Sequence, residues 1–248
     1  MKQIVHVHPE SRIPLANESA QAYSFDLVTQ VGDCVDACWE NQNGLLGFLL
    51  DYNSHDLLKN LCEQLRYKLG RSTTSAVTSV LSIDHKIRSV SDVVIEVKAR
   101  LPKLREKDLL IPIKIDEIET VAQFWKQLQQ ACGTTFAHRL IVVIGSPRGS
   151  ECSLKGLHKL ESPRFKRRDI LSWISPVVST LDWPDAARVI SGWKDMMFRE
   201  CSRDNHLDID RVYRHLNFVS ELLQENPAAE VFLEQLHMRC ESYAQTTY

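Results

Sequence analysis

The sequence predicts an α/β fold: a three-layer domain around a mainly parallel sheet, continued by a helical C-terminal portion. Three observations predict it. Residues 108–146 hold an apolar run ending in an acidic pair (DLLIPIKIDEIE), a helix-period segment (TVAQFWKQLQQA) and a second apolar run (RLIVVIGS). Strand, helix and strand in that order make a parallel β-α-β unit. Upstream, the apolar run Leu45–Leu50 leads through a polar turn into an amphipathic segment, which repeats the alternation. After Asp169 only helical patterns remain.

Taken in order, residues 1–22 are a polar opening with Pro9 and Pro14, read as an arm or a short edge strand. Residues 23–40 place Phe25, Leu27, Val28, Val31, Val35 and Cys38 at helical spacing, interrupted by Gly32. Leu45–Leu50 is a buried-strand pattern, and Asp51–His55 is a turn. Ser54 or Asp56 is the capping candidate for a helix over 56–69, with Leu57, Leu58, Leu61, Leu65 and Leu69 on one face and Gly70 as its stop. Residues 74–83 are β-rich. Residues 90–101 fit a strand by VVIEV and a helix by their wider spacing, and Pro102 closes them. Strands follow at 109–115 and 140–144 around a helix at 119–131. Pro112 removes one ladder donor, which predicts a bulge or a place near the sheet edge. Residues 145–168 read as a long loop, and helices follow at 169–180, 184–202, 208–224 and 227–242, with Asp169, Asp185, Asp208 and Pro227 as start signals. The expected divisions are an arm and helix over 1–40, an α/β core over 41–165 and a helical portion over 166–248.

Composition narrows the function classes. The chain has 248 residues, is 44% hydrophobic and 25% charged, and carries a net charge of −2. That balance is ordinary for a globular protein and sets up no global field for nucleic acid or an anionic membrane. No apolar run approaches the roughly 18 residues that span a bilayer, and MKQIVHVHPESR has no signal-peptide core. Seven scattered cysteines argue for reduced thiols, and the cytoplasm is the expected compartment. Few glycines and prolines predict an ordered, helix-rich chain.

Asp116 and Glu117 are the candidate catalytic pair. In a working ATPase the first carboxylate at such a strand tip supports Mg²⁺ through water and the second polarises the attacking water. The same position in a non-catalytic protein simply ends a strand in solvated carboxylates. The chemistry also needs a phosphate cradle: glycines that let the backbone approach, converging amides at a helix N-terminus, and a lysine. The corresponding turn, Asp51-Tyr52-Asn53-Ser54-His55-Asp56, has neither glycine nor lysine, and its two aspartates repel a triphosphate. No G-x-x-x-x-G-K-[ST] occurs anywhere in the chain.

The order strand, turn, helix, strand, a strand ending in Asp-Glu, an FW-containing helix, RLIVVIGS and an all-helical tail resembles the STAND branch of P-loop NTPases. More closely it resembles the inactive STAND-type domains of bacterial conflict and signalling systems. The resemblance covers roughly residues 40–200 and rests on layout with the strings IDEIE, FWKQL and RLIVVIG. It implies a P-loop NTPase-like sheet, with Asp116 and Glu117 at the Walker B position and Asp51–Asp56 at a Walker A position that departs from the motif. It further implies no bound cofactor and a role as scaffold or sensor, coupling a recognition event to an effector through a protein partner. The alternatives are a divergent Mg-dependent NTPase using Asp116 and Glu117, and a nucleic-acid-binding adaptor.

The last alternative draws on a basic stretch. Arg148, Lys155, Lys159, Arg164, Lys166, Arg167 and Arg168 crowd one loop and helix start, a candidate surface for an acidic partner or for phosphate. Cys34 and Cys38 lie one helical turn apart without a second ligand pair, so they read as buried thiols and no metal site is expected. His6 and His8 share a strand face but lack a third ligand. QQACGTT around Cys132 echoes a caspase-type cysteine signature, yet it ends a helix, and His138 and His158 have no placed partner. Trp125, Trp173, Trp183 and Trp193 fall on helices or their ends and read as core.

Overall fold

The computed structural model describes residues 27–41, 44–52, 54–70, 75–84, 88–132, 136–147, 154–162, 165–181, 183–203, 206–225 and 227–245. The arm at 1–22, with His6 and His8, lies outside them, as do Asn53, Arg148, Cys152 and Arg164. The described chain divides into two compact units, one up to Arg164 and one from Phe165.

The first unit begins with α1 (Val28–Glu40), then β1 (Gly44–Leu50), α2 (His55–Leu69), β2 (Ser75–Val77) and β3 (Leu81–Ile83). It continues with α3 (Val90–Arg100), a 3-10 turn (Leu101–Arg105), β4 (Asp108–Ile115), α4 (Ile118–Cys132), β5 (Arg139–Gly145) and β6 (Leu157–Leu160). The strands form one sheet in the order β2-β4-β5-β1-β6, with β3 also on β4, and every pairing is parallel. Each parallel step needs a crossover, and the helices that supply it cover both faces. One face carries Leu109, Ile111, Ile113 and Ile115 of β4 and Leu140, Val142 and Ile144 of β5, packed under α3 and α4. On the other face α2 lies over β4 and β5, with α1 beside α2. The expected α/β sandwich with a mainly parallel sheet is what forms.

Local sequence explains most elements. Ser54 caps α2 by accepting from the Leu57 N–H, and its carbonyl takes the Leu58 N–H. The open stretch 90–101 resolves as a helix because Ser89 and Asp92 build a capping box and Val90, Val93, Val94 and Val97 share the buried face. Pro102 then turns the chain into the 3-10 turn.

One expectation changes in this unit. Residues 145–168 are not all loop: β6 pairs with β1 from Gly47↔Leu157 to Leu50↔Leu160. His158 and Lys159 lie exposed between buried Leu157 and Leu160, which hides the strand in a basic stretch. The β-rich run at 74–83 forms two short strands. Pro112 explains that break: no bulge forms, and the expected place near the sheet edge holds, since β4 lies next to the edge strands and its proline faces an unpaired stretch. Leu110 accepts from the Thr78 N–H and the Asp116 N–H points to Ile83 O, so even-numbered residues of β4 face β2 and β3. Pro112 shares that parity and offers no donor. β2 pairs with residues 108–110 and β3 with 113–115, leaving the gap opposite the proline.

Gly47 marks a close approach. A Cβ there would stand 2.3 Å from the Trp125 ring and 2.8 Å from Leu157. Trp125 is 2% exposed and its indole N–H donates to Lys155 O at 3.1 Å, so the ring cannot swing away without losing that bond. Gly47→Ala is expected to destabilise by about 1–3 kcal/mol through overpacking. Chemical denaturation checks this, and a loss below about 0.5 kcal/mol would show that the ring relocates freely.

The second unit is helical: α5 (Arg167–Thr180), α6 (Ala186–Cys201), α7 (Ile209–Gln224) and α8 (Ala229–Gln245), with a small antiparallel pair β7 (Ser202–Arg203) and β8 (His206–Leu207) between α6 and α7. Asp208 caps α7 by accepting from Arg211 N. Asp169 is not the cap of α5 but sits one turn inside it, accepting from Lys166 N at 2.9 Å. Trp193 stacks edge-on against Trp173 and Phe232, with ring centroids 5.3 and 5.0 Å apart, and Trp183 meets Phe232 at 4.9 Å. Trp173 and Trp193 are core, as is Trp125, while Trp183 is half-buried.

Candidate functional site

In an open parallel sheet, ligands settle outside the carboxyl ends of the strands. Here that edge is formed by Asp51 and Tyr52 after β1, Asp84 after β3, Asp116 and Glu117 after β4, Ser146 after β5 and Glu161 after β6.

β4 delivers Asp116 and Glu117 to this edge, and both are exposed. Asp116 is held in place by its N–H toward Ile83 O and by Lys114, whose Nζ lies 3.3 Å from the carboxylate. Glu117 O accepts from the N–H of buried Thr120, which starts α4 at once.

The β1–α2 turn has the place of a phosphate loop and none of its chemistry. Only residues 51–54 separate Leu50 from His55. A P-loop inserts an eight-residue motif there, with amides left open for oxygen. Ser54 is 2% exposed and already takes two first-turn amides, one on its hydroxyl at 3.4 Å and one on its carbonyl at 3.1 Å. A Cβ on Gly145 would stand 2.7 Å from Leu58 Cδ1 and 2.8 Å from Tyr52 O, so the end of β5 is pressed against the turn and the first turn of α2. Ser146, 0% exposed, continues the ladder by donating its N–H to Leu50 O.

The sheet is an open, all-parallel α/β sheet in the order β2-β4-β5-β1-β6, with helices on both faces. No family model matches the chain, and no curated protein matches it. Among solved structures it is similar to a mutant of Thermotoga maritima RuvB, at 10% identity over 88% of this chain and 73% of that one, TM-score 0.48. It is similar also to Saccharomyces cerevisiae RIF2, at 10% identity over 92% and 87%, TM-score 0.40. A third is C. elegans PCH-2, at 14% identity over 92% and 66%, TM-score 0.32.

The basic stretch is placed only in part. Lys155 is exposed, and its carbonyl accepts from Trp125 and Gln129. Lys166 leads into α5, and Arg168, 78% exposed, lies 3.7 Å from Asp169. The side chain of Arg167 is outside the described residues. Lys155 belongs to the first compact unit, and Lys166 and Arg168 to the second.

The thiols are inert positions. Cys34, Cys38 and Cys62 are buried, and burial pushes all three thiols up, Cys38 to about 12. Cys132 ends α4, and burial pushes its thiol to about 11, which disfavours the nucleophilic thiolate. His138 lies 3.5 Å from Asp108, and His158 stacks near Phe48. Among the described residues no three His, Cys, Asp or Glu side chains converge on a metal position, and no helix is long and apolar enough to cross a membrane.

Sequence reasoning missed the parts of this edge contributed by β5. Gly145 and Ser146 look like the end of any apolar strand, and only the structure shows that Leu58 and Tyr52 O pack onto the glycine.

Proposed function

We propose that the chain is a non-catalytic NTPase-like scaffold or sensor that works by protein–protein interaction, in a signalling or defence assembly. One observation carries the reading: the β1–α2 turn is short, capped by its own Ser54 and packed through Leu58 and Tyr52 against Gly145. Asp51 and Asp56 add repulsion, about 4 kcal/mol per pair of unit charges at roughly 4 Å near a protein surface. A strand tip with Asp116 and Glu117 but no seat for the phosphates cannot organise in-line attack, since phosphoryl transfer is mainly positioning and charge neutralisation. What remains useful is the rigid α/β body and the surfaces it presents.

The experiment is a thermal melt of the full chain with millimolar Mg-ATP. A functional site at about 100 times Kd would add about 2.7 kcal/mol and raise Tm by several degrees. The expected shift is within error, and Asp116→Asn with Glu117→Gln is expected to leave both the melt and background ATP hydrolysis unchanged. A clear Tm rise abolished by that double variant would replace this reading with a divergent Mg-dependent NTPase.

A further inference from the structure

The amino-terminal side of the sheet carries a surface of opposite character. Residues 98–107, KARLPKLREK, hold five basic residues and one acidic residue. They form the end of α3, the 3-10 turn and the entry to β4. Arg100 is committed inward: with Arg88 it grips Glu96. Leu104 is 2% exposed, and Leu101 packs on the core, so the turn is pinned by its apolar side chains. Its backbone is closed by the Glu106 and Lys107 N–H groups, both donating to Lys103 O. Lys98, Lys103 and Arg105 therefore project outward from a fixed frame, with Lys107 half-buried beside them. Among the described residues no carboxylate lies in ion-pair range of these four.

The same face is not purely polar. Ile95 is 64% exposed, and Ala99 and Pro102 are exposed too. Ile95, Lys98 and Ala99 stand at i, i+3 and i+4, so they share one side of α3, opposite the buried Val90, Val93, Val94 and Val97. On α3, exposed apolar side chains thus flank Lys98.

We propose that this α3–turn platform is a docking surface for an acidic amphipathic segment of a partner protein. The cations would meet its carboxylates, and Ile95, Ala99 and Pro102 its apolar side chains. This inference rests on the protein-interaction reading above and gives it a surface. Charge complementarity favours an acidic partner. The exposed apolar side chains favour a peptide over nucleic acid, since a phosphate backbone has no use for them and the platform offers no aromatic ring on which bases would stack.

The test uses the full chain and a fluorescein-labelled peptide of Glu and Leu at helical spacing, followed by anisotropy. Binding should weaken as salt rises. The variant K98E/K103E/R105E/K107E should bind about tenfold or more weaker, and Ile95→Ser several-fold weaker. A milder K103E/R105E variant should fall between, which keeps the result readable if the fourfold variant melts early. Equal binding by the charge-reversed variants overturns the proposal. So does equal binding of a Glu/Ser peptide, which would make the surface a plain polyanion site, or tighter binding of oligothymidylate. Sedimentation showing that the wild type self-associates and the variants do not would assign the surface to a second copy, which also overturns it. Failure here leaves the nucleotide melt untouched, and a nucleotide-induced Tm rise would not alter the peptide titration, so the two readings fail separately.

Discussion

Arg139→Met is expected to cost about 3–5 kcal/mol, because it strands a buried carboxylate. Asp108 opens β4 and Arg139 opens β5, and their side chains are 2% and 6% exposed. Asp108 accepts from the Arg139 main-chain N–H at 2.9 Å and from Nε at 2.8 Å, and also from Nη2. The remaining guanidinium nitrogen donates to Cys38 O at 2.8 Å, tying the end of α1 to the sheet. Removing the arginine leaves Asp108 with a desolvated charge and Cys38 O without its donor. Hydrogen exchange should show lost protection in β4, β5 and the end of α1. Adding Asp108→Asn should recover most of the loss, since replacing both charges removes the unpaired ion. A loss under about 1 kcal/mol for Arg139→Met alone would mean that water reaches this pair and that it is not part of the core.

Glu200→Ala should have a comparable effect, about 3–5 kcal/mol, confined to the helical unit. Glu200 lies on α6, 6% exposed, with Oε2 at 2.6 Å from His215 Nδ1 on α7 and Oε1 at 3.0 Å from Arg239 Nε on α8. Trp193 donates its indole N–H to His215 Nε2 at 3.0 Å, so Nδ1 carries the histidine proton and gives it to the carboxylate. Three helices are joined through one acid. Burial works against the Glu200 carboxylate, but the hydrogen bonds from His215 and Arg239 and the charge of Arg239 outweigh it and hold the acid below its ordinary value of 4.5. The sign follows: the group titrates lower when folded, so its contribution is complete above about pH 4.5 and is lost as pH falls through the folded value. Acid unfolding of the wild type should include this slice, and Glu200→Gln should lack it. Protection lost in α6–α8 while β4 and β5 stay intact would place the effect correctly; a uniform loss would refute the local account.

The parallel core was legible because its strands are continuous apolar runs and its helices carry their own punctuation. Ser54 and Asp208 cap α2 and α7 where the sequence puts a cap, and the Ser89–Asp92 box settles the ambiguity of VVIEV in favour of helix. β6 was not legible, because LHKL carries as many polar as apolar residues and gains its strand character only from lying along β1. The division of 75–83 into two strands was hidden for a similar reason. Its cause is Pro112, more than twenty residues away in the chain and visible only once register is known.

The candidate site divides the same way. That the turn after β1 has no glycine and no lysine is a property of the letters, and it excludes the chemistry of a phosphate loop by itself. How tightly the turn packs on the sheet is a question of tertiary structure, and Leu58 and Tyr52 O against Gly145 show that packing. The sequence alone determined the α/β class, the positions of Asp116 and Glu117 at a strand tip and the missing cradle, because local pattern and residue chemistry suffice for those. Tertiary structure alone decided that the β1–α2 turn packs against Gly145, that Asp108 and Arg139 share a buried pair and that Lys98 shares the exposed side of α3 with Ile95 and Ala99. Each depends on residues brought together across the sheet or around a helix, and linear spacing carries no record of such meetings.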